Sequence, residues 1–371
     1  MTIKVWDYIE EYENEKAEIL KAIDKVIHSG RLILGESVQN FENAFASYCG
    51  VKYGIGVDNA TNGLFLSLKA LGIGNGDEVI TVSNTAVPTV SAIVSAGATP
   101  VFVDIDSTTY LMDTSKLEEV VTERTKCILP VHLFGQCVEM DEVYAVAKKY
   151  KLKVLEDCAQ AHGASQKNRK SGSMSDLAVF SFYPTKPLGG YGDGGMVVTD
   201  NDELNAKLRR LRFYGMETVY YSEEHGYNAR LDELQAEILL RKLSHLNQYI
   251  LKRQELACRY DQILSKTSLT LPKIMDGNTH VYYIYVCRHK RRDHIIEELK
   301  RRDILVNISY PWPIHMMRGY QYLGYSEGSL PQTELAAKEI FSLPMYPMLS
   351  YTQQDTVCFA IAEILEEKIT L

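Results

Sequence analysis

Between about residues 50 and 200, short β-rich runs alternate with helix-length stretches, and no other feature constrains the fold as much. The runs 53–57, 78–82, 100–105, 127–133 and 153–157 read as strands from their composition and flanking turns. Between them, 63–71, 88–96, 115–122 and 141–150 carry apolar residues at helical spacing. Such alternation implies an α/β fold with a mostly parallel sheet covered on both faces. A further strand at 196–199, a helix at 203–211 and a polar loop at 215–229 follow, then a long helical run at 231–264 that would cross between domains. The remainder reads as a compact α+β unit: strands at 281–287 and 305–308, a helix at 294–300, and two more helices near 334 and 356. With 371 residues, a large domain over 1–250 and a smaller one over 251–371 are expected.

Composition excludes several classes. A hydrophobic fraction of 46% and a charged fraction of 24% are those of an ordinary globular protein, and no apolar run reaches membrane-spanning length. The start, Met1-Thr2-Ile3-Lys4-Val5-Trp6-Asp7-Tyr8, lacks the basic and apolar regions of a secretory signal, so a cytoplasmic location is expected. Seven cysteines without a Cys-x-x-Cys pair fit reduced thiols, not a disulfide framework or a zinc ribbon. A formal charge of −8 argues against a nucleic-acid partner, and the basic runs 290–292 and 300–302 read as the solvated face of one helix with Glu297 and Glu298 between them.

Three stretches carry chemistry. Gly56-Val57-Asp58-Asn59-Ala60-Thr61-Asn62-Gly63 joins a strand to a helix, which aims backbone N–H groups at any anion placed there; an ordinary turn capped by Thr61 or Asn62 is the alternative. Ser181, ending a strand at 178–182, has a hydroxyl that could reach the same anion. Asp157 ends the apolar run Lys153-Val154-Leu155-Glu156-Asp157, so its carboxylate needs a partner, either a protonated pyridine or a structural cation. Gln160 follows three residues on. Lys186 lies in Ser181-Phe182-Tyr183-Pro184-Thr185-Lys186-Pro187-Leu188-Gly189-Gly190, where two prolines forbid a helix and the glycines leave a bare backbone able to turn the lysine inward. A lysine and a strand-end aspartate converging on one small ring look like the two halves of a pyridoxal phosphate site. Two competing motifs fail. Gly190-Tyr191-Gly192-Asp193-Gly194-Gly195 matches a dinucleotide fingerprint but precedes a strand, and Tyr183 and Lys186 are one residue too close for a Tyr-x-x-x-Lys pair, with Pro184 between them.

Five ordered stretches make the chain resemble the DegT/StrS-type nucleotide-sugar aminotransferases, which share the aspartate aminotransferase fold. They are residues 29–35 (Ser-Gly-Arg-Leu-Ile-Leu-Gly), 72–80, 130–136, the Asp157 and Lys186 motifs, and Tyr227-Asn228-Ala229-Arg230-Leu231-Asp232-Glu233-Leu234-Gln235-Ala236. The resemblance implies that Lys186 forms the covalent link to pyridoxal 5′-phosphate, Asp157 binds its ring nitrogen, Gln160 its phenolic oxygen, and Ala60, Thr61 and Ser181 its phosphate. It implies that Asn228 reaches the phosphate bound by a second subunit, hence a homodimer with shared sites. Departures are Ala86, where the family usually has a ring-stacking aromatic, and Pro187, where an asparagine often follows the lysine. A lysine at 186 instead of histidine sets the chain apart from the family's dehydrating branch.

By the same resemblance Lys186 serves two half-reactions. Glutamate leaves as 2-oxoglutarate, with pyridoxamine 5′-phosphate formed, and a keto sugar is then aminated. The segment 220–233 is most similar to enzymes acting at C3 of dTDP-3-keto-6-deoxyhexoses, which make dTDP-3-amino-3,6-dideoxy sugars for surface glycans. Arg230 is then a candidate pyrophosphate partner, and Tyr183, Tyr221, Tyr310 and His315 are candidate sugar-pocket residues, with packing roles as the alternative. Amination at C4 of a UDP- or dTDP-4-keto sugar, and a non-catalytic regulator of the same fold, are the other readings.

Overall fold

The structure is a computed structural model in which residues 2–369 are described. Seven strands build its main sheet: β1 (Tyr53–Val57), β2 (Glu78–Val82), β3 (Thr99–Val103), β4 (Thr125–Ile128), β5 (Lys153–Asp157), β6 (Leu177–Ser181) and β7 (Gly195–Thr199). Their spatial order is β1-β7-β6-β5-β4-β2-β3, and only β7 runs against its neighbours. Every residue of β2, β6 and β7 is buried, which requires cover on both faces. The cover comes from α2 (Glu36–Cys49), α3 (Ala60–Ala70), α4 (Val87–Ser95), α5 (Met140–Tyr150), α6 (Asp202–Leu211) and the start of α7 (Glu233–Leu264), while α1 (Ile9–Ser29) packs on α7 through Ile19, Ala22 and Ile238.

Two buried carboxylates fix the frame. Glu42 of α2 accepts from the Gly56 N–H at 2.8 Å and from Arg209 at 2.9 Å, and it also pairs with the buried Arg212, tying β1 to α2 and α6. Glu233, at the start of α7, accepts from the N–H groups of Gly35, Ser37 and Val38 at 2.7 to 3.0 Å and so supplies the cap that the N-terminus of α2 lacks from its own side chains.

The apolar core divides along α7. Residues up to Ile250 pack with the main sheet, whereas Leu256, Tyr260 and Leu264 join a second core. That core contains the antiparallel pair β8 (Tyr285–Arg288) and β9 (Ile340–Leu343), with α8 (Arg292–Arg301) and α10 (Tyr351–Leu365) against it. α9 (Pro331–Glu339) leads into β9. Ile3, which the sequence reading places in the large unit, packs in this second core, because its backbone bonds to Asp303 and Leu305.

Several expectations are corrected. The strand expected over 127–133 ends at Ile128; Pro130 has no N–H to continue the ladder, and Leu133–Gly135 forms a 3-10 turn with Phe134 at φ 62°. The helix expected over 115–122 is a 3-10 segment, Thr114–Val120. The strand expected over 305–308 is reduced to one bridge, Asn307 to Ser342. Within the loop expected over 215–229, Met216–Thr218 pairs with Tyr221–Ser222 as a short ribbon. The basic runs flank α8, where Arg301 and Arg302 pair with Glu297 and Glu298.

Candidate active site

The carboxyl ends of β1, β2, β5 and β6 open onto one cavity of about 590 Å³, the usual ligand position on an open α/β sheet. Ala60, Thr61, Asp157, Gln160, Ser181, Tyr183 and Lys186 all line it.

One wall is an anion seat. The side chain of Asn59 caps α3 by accepting the Asn62 N–H at 2.8 Å, and its carbonyl accepts the Gly63 N–H at 3.0 Å. The cap is therefore Asn59, not Thr61 or Asn62, and the first-turn N–H groups of Ala60 and Thr61 are left at the cavity wall. Gly195 permits this: a Cβ there would lie 2.8 Å from the Asn59 carbonyl carbon and 2.9 Å from the Ala60 nitrogen. Ser181 completes the seat. Asp193 stands exposed at the rim, and Lys186 is the one cation among the lining residues.

The floor carries Asp157. Among the described residues no cation comes within ion-pair distance of it; instead it accepts the Thr89 hydroxyl at 2.8 Å and the Ala159 N–H at 3.1 Å. Burial pushes its carboxyl above the usual range, opposed by these bonds and by the Lys186 charge. Gln160 accepts the Phe134 N–H at 2.8 Å and donates one amide proton to the Tyr310 hydroxyl at 2.6 Å, which leaves the other for the cavity.

Lys186 follows a tight turn closed by its N–H on the Tyr183 carbonyl at 2.9 Å, and its Nζ sits 4.4 Å from the Tyr283 ring centroid. Tyr283 in turn bonds Thr185 at 3.0 Å. The glycines do close the loop, since a Cβ on Gly189 would lie 2.3 Å from the Pro184 carbonyl oxygen. Gln235 of α7 holds the far side by accepting the Tyr191 N–H at 3.1 Å.

The remaining expected residues lie outside this cavity's lining. Tyr310 stands behind Gln160. His315 is fully buried between Ser83, at 2.8 Å, and Glu334, at 3.2 Å, a packing position. Tyr221 and Asn228 are exposed on the 213–230 segment, and Arg230 lies over the rings of Phe213 and Tyr214 with its Nε unpartnered. Sequence reasoning missed Thr85, Thr89 and Tyr283. The Thr85 and Thr89 spacing of one helical turn, just after a strand, is the only signal that points to any of them.

Next to Asp157, His132, Glu156 and Cys158 approach within metal-ligand reach. Glu156 is already saturated, accepting from His132 at 2.8 Å, Ser175 at 2.7 Å and the N–H groups of Gly172 and Met174 at 3.0 Å. This cluster is a hydrogen-bonded support for β5, not a cation site.

An anion seat at a helix N-terminus, a buried carboxylate without a cation and a lysine, all on one cavity, fit pyridoxal phosphate. The comparisons agree. Over 371 aligned residues the chain is 56% identical to a dTDP-3-amino-3,4,6-trideoxy-alpha-D-glucose transaminase of Micromonospora megalomicea subsp. nigra, covering 98% of this chain and 99% of the relative. It is 44% identical to a dTDP-3-amino-3,6-dideoxy-alpha-D-galactopyranose transaminase of Aneurinibacillus thermoaerophilus, covering 93% and 94%. The solved structure of DesV of S. venezuelae, in complex with a ketimine intermediate, superposes with a TM-score of 0.96 at 39% identity, covering 99% of both chains. The model of the DegT/DnrJ/EryC1/StrS aminotransferase family matches residues 13–362, and the chain belongs to that family.

Proposed function

We propose that this protein is a pyridoxal phosphate-dependent transaminase that moves the amino group of glutamate to C3 of a dTDP-3-keto-6-deoxyhexose. The observation that carries this reading is identity of 56%, sustained end to end, with a dTDP-3-amino sugar transaminase, in a chain whose Lys186 and Asp157 face one cavity. When bound, pyridoxal phosphate supplies an aldehyde that links reversibly to amines and a ring that absorbs the electron pair left by a departing proton. Lys186 is the base that carries a proton between the donor's Cα and the cofactor's C4′. Asp157 holds the ring nitrogen protonated, and the free amide proton of Gln160 is placed for the phenolic oxygen. Ala60, Thr61 and Ser181 take the phosphate. Tyr183, half-exposed on the cavity wall, contacts the sugar.

Asn228, Tyr221 and Arg230 lie on the 213–230 segment, outside the lining of their own chain's cavity, which supports their serving a second subunit's site in a homodimer. The Arg230 guanidinium, whose Nε has no hydrogen-bond partner in its own chain, suits the nucleotide pyrophosphate. One relative is called a pleiotropic regulatory protein of Geobacillus stearothermophilus, at 43% identity, but the presence of both Lys186 and Asp157 favours turnover here.

The test is the near-visible absorption of the purified protein with pyridoxal phosphate. Glutamate should bleach the bound cofactor's band, and a dTDP-3-keto-6-deoxyhexose or its 4-deoxy counterpart should restore it. Restoration only by a 4-keto sugar moves the assignment to C4. A band that glutamate leaves unchanged refutes the transaminase reading.

A further inference from the structure

Beneath the cavity floor lies a short hydroxyl relay whose direction is set. Thr89 Oγ1 is 2.8 Å from Asp157 Oδ2 and 3.0 Å from Thr85 Oγ1, and all three residues are buried. An ionised carboxylate only accepts, so Thr89 gives its single proton to Asp157 and must accept from Thr85. The order is Thr85 to Thr89 to Asp157. Thr85 lies on the turn from β2 into α4 and Thr89, four residues on, in the first turn of α4, so the second hydroxyl reaches past β4 to the end of β5. The second oxygen, Oδ1, takes the Ala159 N–H at 3.1 Å. Each oxygen is thus held by one donor from the protein, with a lone pair left for the cavity.

We propose that Thr89, backed by Thr85, is a positioning residue for Asp157, keeping its buried carboxylate ionised and turned to receive the protonated ring nitrogen of the cofactor. The relay takes the place of a cation. Burial disfavours the charge, and no lysine or arginine among the described residues pairs with it, so donated hydrogen bonds must oppose the desolvation. A neutral carboxyl would meet the pyridinium N–H without the charge that makes this bond strong. The inference rests on the transaminase reading of the cavity.

The experiment compares equilibrium dissociation constants for pyridoxal phosphate and for its 1-deaza analogue, in which C–H replaces the ring nitrogen. Wild type, Thr89→Val, Thr89→Ser and Thr85→Val are titrated as full-length protein cleared of cofactor. Thr89→Val should weaken pyridoxal phosphate binding roughly tenfold to hundredfold, the range for a lost hydrogen bond to a charged group, and leave the analogue within about twofold. Thr89→Ser should restore the wild-type ratio, and Thr85→Val should show the same selectivity at a few-fold. Equal weakening of both ligands, as a merely structural role predicts, overturns the proposal, and so does no weakening of either. If Thr89→Val does not fold, Thr85→Val decides by the same criterion. A wild type that binds the two ligands equally overturns the pairing of Asp157 with the ring nitrogen, and this inference with it, while the spectral test above stands apart.

Discussion

Acidification from pH 7 to pH 5 is expected to remove about 2 kcal/mol of folding stability through His162 alone. The imidazole is fully buried, with the rings of Phe45, Phe180 and Phe182 centred 6.3, 5.3 and 5.9 Å away, and neither nitrogen has a hydrogen-bond partner. Burial first, and the Lys186 charge second, push its pKa from 6.5 down to about 3. The Ser181 backbone opposes this weakly, without reaching ordinary hydrogen-bond geometry. Below pH 6.5 the unfolded chain takes up a proton that the folded protein refuses, so stability falls as pH falls, until about pH 3. At roughly 1.36 kcal/mol per unit, the 1.5 units between 6.5 and 5 amount to about 2 kcal/mol. His280, likewise pushed to about 3 by burial, adds a slope of its own, so the variant His162→Leu isolates the first. Urea unfolding of both proteins at pH 7 and pH 5, with cofactor present, should show the wild type losing about 2 kcal/mol more than the variant. Parallel losses would refute the account, because every other titrating group is shared.

Lys186→Ala should abolish steady-state transamination, and borohydride, which fixes the cofactor to the wild type, should leave the variant's mass unchanged; appreciable turnover sinks the assignment. Glu42→Gln leaves Arg212, 6% exposed, without its charge partner and should cost about 3 kcal/mol or more in chemical denaturation; a loss under about 1 kcal/mol would show that the pair does not anchor β1. Gly195→Ala forces a Cβ against Asn59 and Ala60 and should weaken pyridoxal phosphate binding about tenfold or more while lowering stability by about 1–3 kcal/mol. Unchanged affinity in a titration would mean that the N-terminus of α3 does not hold the phosphate.

The fold was legible where local and tertiary signals coincide. The strands over 53–57, 78–82 and 153–157 keep their expected ends, being short apolar runs bounded by turns and buried in a sheet covered on both faces. Helices α1 and α2 precede the strand-helix alternation on which the reading rests, and their buried faces mix charged and polar groups with apolar ones. Glu15 in α1, and Ser37 and Glu42 in α2, point inward among apolar residues at helical spacing. The two carboxylates are satisfied by Lys242, Arg209 and Arg212, residues more than 160 positions away that no local window can include.

The same division runs through the site. Residues 157 and 181 end strands and residues 60, 61, 160 and 186 follow within five positions of a strand end, where chain direction aims them at a ligand, so their motifs announce them and one cavity collects them. Thr89 works through a carboxylate 68 positions away, and Tyr283 meets Lys186 only because the chain comes back to the loop after α7, so neither carries a mark of its own. His315 shows the converse. It stands in the conspicuous string Ser309-Tyr310-Pro311-Trp312-Pro313-Ile314-His315, yet both its ring nitrogens are taken up by Ser83 and Glu334. A ligand-facing role needs a side chain whose polar atoms the protein has not already satisfied, and that test separates Gln160, with one amide proton left over, from His315, with no ring nitrogen to spare.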